Sequence, residues 1–154
     1  MKWRFLTTGL TLALGLGVAV TALAQVKPEV MVQQRQAAMT LQFKYLGPLF
    51  AMAQGKIPFD AQIVARNAAY LDVLDKMAWD GFPESTKDTS AKTRALPAIW
   101  AEPDNFKKAQ ENFQSAVHQL VEASKSGDEG KMKASISAVG KSCGACHDHF
   151  RAER

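Results

Sequence analysis

Residues 141–150 read KSCGACHDHF. They hold both cysteines of the chain, Cys143 and Cys146, and two of its three histidines, His147 and His149. Upstream, Met132, Ile136, Val139 and Cys143 recur every three or four residues, the period of a helix with one apolar face, and Asp128 stands where an N-cap belongs. Continuing that helix through the cysteines, at about 100° per residue, sets Cys146 about 60° to one side of Cys143 and His147 about 40° to the other. One face of a terminal helix thus presents two thiols and an imidazole, and Phe150 closes the same stripe.

The rest of the chain reads in the same period. Phe106, Ala109, Phe113, Ala116/Val117 and Leu120 predict a helix that starts with Asp104 as N-cap and stops at Ser126-Gly127. Ile63, Asn67, Tyr70/Leu71, Leu74 and Met77 predict another over residues 60–79, capped by Asp60. A first helix is expected over residues 28–54, with Met31, Arg35, Ala38/Met39, Gln42/Phe43, Leu46, Phe50 and Ala53 on one face. Pro28 suits its first turn, Gly55 its stop, and the internal Gly47-Pro48 predicts a kink. Residues 80–103 are the longest irregular stretch, rich in glycine and proline, with residues 96–100 expected to fold back as a short lid. No strand alternation, internal repeat or low-complexity tract interrupts the pattern. Four amphipathic helices with short first and third connections predict an all-α, antiparallel four-helix bundle.

At the other end, Lys2 and Arg4 precede the apolar run FLTTGLTLALGLGVAVTALA, which closes on Ala22-Leu23-Ala24. Residues 1–24 are therefore expected to be a secretory signal peptide, cleaved before Gln25, and residues 25–154 a single domain in the periplasm with no membrane anchor. Without Lys2 and Arg4 the chain has 17 basic against 15 acidic residues, and its formal charge falls from +4 to +2. With no basic stripe interleaved with aromatics, that balance argues against nucleic acid as a partner.

Export also sets the chemistry open to the cysteine pair. A disulfide across so short a loop would restrict the unfolded chain little. A thioredoxin-like dithiol belongs after a strand at a helix N-terminus, whereas this pair follows some fifteen residues of helical pattern. A structural zinc ion wants four ligands, and beyond Cys143, Cys146 and His147 only His118 and His149 remain. The pattern C-x-x-C-H is the attachment signature of one covalent haem c, with Cys143 and Cys146 bonded to its vinyl groups and His147 the proximal axial iron ligand. His149 lies about 200° round from His147 and should face solvent, and His118 reads as surface or boundary packing.

With these features together the chain resembles the class II cytochromes c, and cytochrome c′ within them. The resemblance runs over the whole segment after the leader. It includes the PFD before the second helix, the WDGFPEST loop, the IW before the third helix and CGACHDHFR near the C-terminus. Class I cytochromes carry the haem motif near the N-terminus, and only eight residues follow Cys146 here.

The resemblance implies a distal side on the first helix, at Met39, with Arg35 one turn before it as partner of a haem propionate, Phe43 as a neighbouring apolar cover and Arg151 near the proximal imidazole. In the cytochromes c′ the distal side chain crowds the iron without bonding, which leaves a five-coordinate, high-spin haem that binds nitric oxide and carbon monoxide. In low-spin relatives a methionine there is the sixth ligand, which would make this chain an electron carrier held by Met39 and His147. A thioether suits either role. The resemblance further implies nitric oxide binding or detoxification with some electron transfer to redox partner proteins, no enzymatic turnover, and a homodimer through the first two helices. Leu41, Leu49 and Ile57, lying off the haem-facing stripe, are expected to supply part of that contact.

Overall fold

A computed structural model describes residues 26–153, so the leader expected over residues 1–24 lies outside the described residues. Within them the chain forms α1 (Pro28–Ala53), α2 (Ala61–Leu74), the single turn α3 (Ala98–Ala101), α4 (Pro103–Lys125) and α5 (Glu129–Phe150). The four long helices are the expected antiparallel bundle, with α1 against α2 and α5, and α4 against α2 and α5. Val32, Leu49, Val64, Leu71, Val117, Leu120, Met132, Ile136 and Val139 are fully buried between them. Each such side chain removed from water stabilises the bundle by roughly 1.5–3 kcal/mol.

The helix ends follow local chemistry. The Asp60 carboxylate accepts from the Gln62 and Ile63 amides at 2.8 and 3.0 Å, and Asp128 accepts from the Lys131 amide at 3.0 Å. After α1 the chain turns left-handed at Gly55, φ +69°, and the Lys56 amide reaches back to the Ala51 carbonyl at 2.8 Å. This is the Schellman closure that glycine admits without strain. Pro48 sits inside α1 without ending it. The fourth bundle helix starts where Asp128 predicts, while α4 starts two residues earlier than expected, at Pro103 with Glu102 in place of Asp104 as its N-cap.

The second helix is shorter than its apolar period. It stops at Leu74, five residues before the expected Trp79, and Met77, on the same stripe, is 54 % exposed. The cause is tertiary. Gln42 of α1 donates to the Leu74 carbonyl at 2.8 Å, and the chain tightens there into a turn closed by the Met77 amide on that carbonyl. Leu49, expected on an outer face, is fully buried in the bundle, whereas Leu41 and Ile57 are each 41 % exposed. The backbone of α1 advances Leu49 onto the stripe of Val32, Ala38, Gln42 and Leu46, which the structure makes the inner face.

Two close approaches place the functional end of the molecule. A Cβ on Gly81 would stand 2.5 Å from the Arg35 Cβ, so the irregular segment rests directly on α1. At the other end of that segment, the Leu96 amide donates to the Phe150 carbonyl at 2.9 Å and the Ala152 amide to the Arg94 carbonyl at 2.8 Å. The short α3 then lies as the expected lid, its Ile99 packed with Phe106 and Phe150. The segment between α2 and α4 is thus fastened to α1 at one end and to the end of α5 at the other.

Candidate functional site

The motif CGACH lies wholly inside α5, in its last two turns, as the helical period requires. Cys143 packs against the main core and Cys146 against the smaller cluster of Ile99, Phe106 and Phe150. Trp79 touches both clusters, at centroid distances of 6.3 Å from Phe106 and 6.1 Å from Phe113. Phe82 continues the aromatic wall, 5.0 Å from Phe106, which lies 5.2 Å from Phe150. The cysteine face of α5 therefore looks onto an apolar junction between two packed clusters.

Electrostatics at this junction keep the three motif side chains neutral. Burial first, then the neighbouring Cys146, pushes the Cys143 thiol up to about 11, and burial raises Cys146 as well. Burial, helped by the cations of Arg151 and Arg94, holds the His147 imidazole below its ordinary value. Unprotonated imidazole keeps a lone pair for a metal. Thiols held protonated are poor redox nucleophiles, which disfavours the dithiol reading. Nor do three or more His, Cys, Asp or Glu side chains converge on a metal position among the described residues, so a zinc site is not supported.

On the opposite side Arg35 is the unusual residue. It is 3 % exposed, and its guanidinium lies 4.3 Å above the Phe82 ring. Nη1 donates to the Gly81 carbonyl at 2.6 Å and to Thr86 Oγ1 at 3.2 Å, and Nη2 donates to Thr93 Oγ1 at 3.0 Å. All three acceptors are neutral. A buried cation among neutral acceptors is incompletely compensated, which is what an anionic group of a bound cofactor would complete. Trp79 Nε1 is also buried with no acceptor among the described residues. Together, the paired thiols, the neutral imidazole, the uncompensated cation and the orphaned donor fit a planar apolar group with acidic substituents, carrying a metal at its centre.

The remaining expectations divide. Met39 stands half-buried on α1, one turn beyond Arg35. Phe43 does not close the pocket as expected: it is 69 % exposed, because each further turn of α1 carries the stripe of Arg35 and Met39 round toward solvent. Arg151 sits at the cap of α5, bridged to Ala95, and its charge reaches Cys143, Cys146 and His147. His149 is exposed as expected, yet held by Glu102 at 2.8 Å, and His118 is exposed. Trp79, Phe82, Thr86, Thr93 and Arg94 were not singled out from sequence. The first three lie in WDGFPEST, but no period marks which way an irregular segment turns its side chains. Cys146 also borders an open groove of about 310 Å³ between α4 and α5, with Asn105, Asn112 and His149. None of the described helices is long and apolar enough to cross a membrane.

Comparison with known proteins agrees with this geometry. The family model for cytochrome c′ matches residues 30–151. Cytochrome c′ of Rubrivivax gelatinosus is 40 % identical over 125 residues, covering 81 % of this chain and 96 % of the relative. Its crystal structure superposes with a TM-score of 0.78 over 82 % of this chain and 98 % of that one. The nitric oxide complex of a point mutant of cytochrome c prime from Alcaligenes xylosoxidans, 34 % identical, gives a TM-score of 0.77 over 84 % and 99 %. A cytochrome c-554 of Cereibacter sphaeroides is 31 % identical over 138 residues, covering 87 % of this chain and 90 % of the relative. With the bundle, the terminal C-x-x-C-H helix and these relatives in agreement, this chain belongs to the cytochrome c′ family and its cofactor is a covalent haem c.

Proposed function

We propose that this protein is a periplasmic haem protein with a five-coordinate, high-spin iron that binds nitric oxide and carbon monoxide. Cys143 and Cys146 form the thioether links, and His147 is the proximal ligand. When bound, the haem supplies a redox-active iron with one open coordination position. Arg35 neutralises a propionate, and Met39 closes the distal side without bonding to the metal.

The observation that carries the reading is the commitment of Arg35. Three of its N–H groups are held by Gly81, Thr86 and Thr93, which turns the guanidinium toward the irregular segment, and the neighbouring Met39 offers a thioether in place of an N–H or O–H donor. A distal side built this way favours small uncharged diatomics over ligands that need a hydrogen bond to bind. The nitric oxide complex of the Alcaligenes xylosoxidans relative supports the same choice of ligand. The role that follows is nitric oxide binding or detoxification without turnover chemistry of the chain's own. Cys146 at the edge of an open groove gives redox partner proteins an approach for some electron transfer. A homodimer through α1 and α2 accounts for the exposure of Leu41, Phe43, Ile57, Tyr70 and Val73.

The second reading, an electron carrier ligated by Met39 and His147, rests on Met39 being half-buried on the helix opposite the motif. Optical and electron paramagnetic resonance spectra of the haem-loaded protein separate the two. High-spin ferric and ferrous haem, changing at once with nitric oxide or carbon monoxide, is the expected result. A low-spin ferric spectrum with a methionine-to-iron charge-transfer band, lost in Met39→Ala, would overturn it.

A further inference from the structure

Asp75 is buried without the partners a carboxylate needs. It follows α2 as its C-cap, is 2 % exposed, and its Oδ1 has no hydrogen-bond partner among the described residues. Its backbone amide is already spent on the Leu71 carbonyl at 2.8 Å. The end of a helix, where carbonyls point outward, is also the end that disfavours negative charge. Of the charges that act on it, Lys76 stabilises the ionised form and Asp72 opposes it, and those two lie 3.9 Å from each other on the surface. From α1 the neutral Gln42 reaches the neighbouring Leu74 carbonyl. Burial prevails over Lys76 and pushes the Asp75 carboxyl up to about 6.

Its position matters as much as its titration. Gln42, whose side chain holds the Leu74 carbonyl at 2.8 Å, is three residues beyond Met39 on α1. That bond ties the end of α2, at the residue before Asp75, to α1 at a point less than one turn along that helix from Met39. Four residues after Asp75 comes Trp79, which packs on both clusters that receive Cys143 and Cys146 and whose own Nε1 is buried without a partner. A charge appearing at Asp75 therefore arises inside the packed bundle, 2 % exposed, where water screens it little and its field reaches further than a surface charge's.

We propose that Asp75 is a proton-binding site coupled to the oxidation state of the haem iron. A one-electron donor delivers an electron that reduces ferric to ferrous iron, and one proton from solvent adds to the Asp75 carboxylate. The two events leave the local charge unchanged. Oxidised iron, with its extra positive charge, favours the carboxylate, and the reduced iron favours the acid. By linkage, the proton then stabilises the ferrous state to the same degree that reduction stabilises the proton. The proposal requires haem in the pocket but not any particular filling of its distal face.

The test compares the midpoint potential of the haem-loaded protein with that of Asp75→Asn as pH is varied. In the wild type the potential falls as pH rises through about 6, and the variant loses that part of the slope while keeping any contribution from other groups. Superimposable pH profiles would sink the proposal. Infrared difference spectra of the wild type, reduced minus oxidised at pH 6, need no variant and keep the idea testable should Asp75→Asn fail to fold. A protonated-carboxyl band that gains intensity on reduction, and shifts on carbon-13 labelling of aspartate, is expected, and its absence would overturn the assignment. A different coordination state would show in the optical spectrum and leave both comparisons intact.

Discussion

Arg35 joins a buried charge, three hydrogen bonds and an aromatic face at one point on α1. Removing the guanidinium leaves the Gly81 carbonyl and two threonine hydroxyls without their donor, so Arg35→Ala should lose about 2–4 kcal/mol, measured by denaturant unfolding. Arg35→Lys recovers only part of this, since an ammonium on a flexible stem cannot reproduce the planar fork that serves three acceptors and a ring. Asp75 acts in the opposite sense. Its folded-state pKa is raised from 3.8 to about 6, so the stability it contributes is present below about pH 4 and is lost as pH rises through about 6. Asp75→Asn should gain on the wild type by roughly 2–3 kcal/mol between pH 4 and pH 8. Unfolding curves of the two proteins at those pH values check it.

At the scale of elements, the irregular segment behaves as a strap. Gly81 is the contact that lets it lie on α1, and the Arg35 Cβ that an alanine there would meet at 2.5 Å cannot swing away as a side-chain tip can. Gly81→Ala should therefore cost about 1–3 kcal/mol and weaken the Arg35 contacts to Thr86 and Thr93 with it. In the haem-loaded protein the same lesion should alter the gas-bound optical spectrum, because the strap carries Trp79 and Phe82. Asp60→Ala, at the far end of the bundle, removes two hydrogen bonds to the start of α2 and should cost about 1 kcal/mol with no spectral change. The pair separates loss of the distal wall from general loss of stability. The helical period exposes three of the four bundle helices nearly in full, because those helices bury one stripe each. It fails at the end of α2, where the stripe continues to Met77 but Gln42 and the turn at Leu74 end the helix.

For the molecule as a whole, the apolar side chains left outside lie on α1, α2 and the turns beside them. Phe43 at 69 %, Val73 at 55 % and Tyr70 at 45 % exposure are far from the solvated charges expected of an outer face. Phe43→Lys should convert a dimer to a monomer in analytical ultracentrifugation while leaving the haem spectrum as it was. A change in both would return Phe43 to the pocket. The formal charge of +2 on residues 25–154 is too small to steer association, so the proposed contact would rest on apolar area.

What the sequence determined by itself is whatever depends on spacing along one chain. The i, i+3, i+4 placement of Cys143, Cys146 and His147 on one helix face follows from the helical repeat alone, and so do the four amphipathic stripes and the caps at Asp60 and Asp128. What only the tertiary structure decided is what meets across elements. That Arg35 is buried, that Thr86, Thr93 and Phe82 gather around it, that Arg94 stands by His147, that Leu49 turns inward and Phe43 outward, and that Asp75 loses its water are consequences of how the strap and α1 pack. The physical reason is that an irregular segment has no repeat from which side-chain direction can be read, and that burial of a charge is set by its neighbours in space.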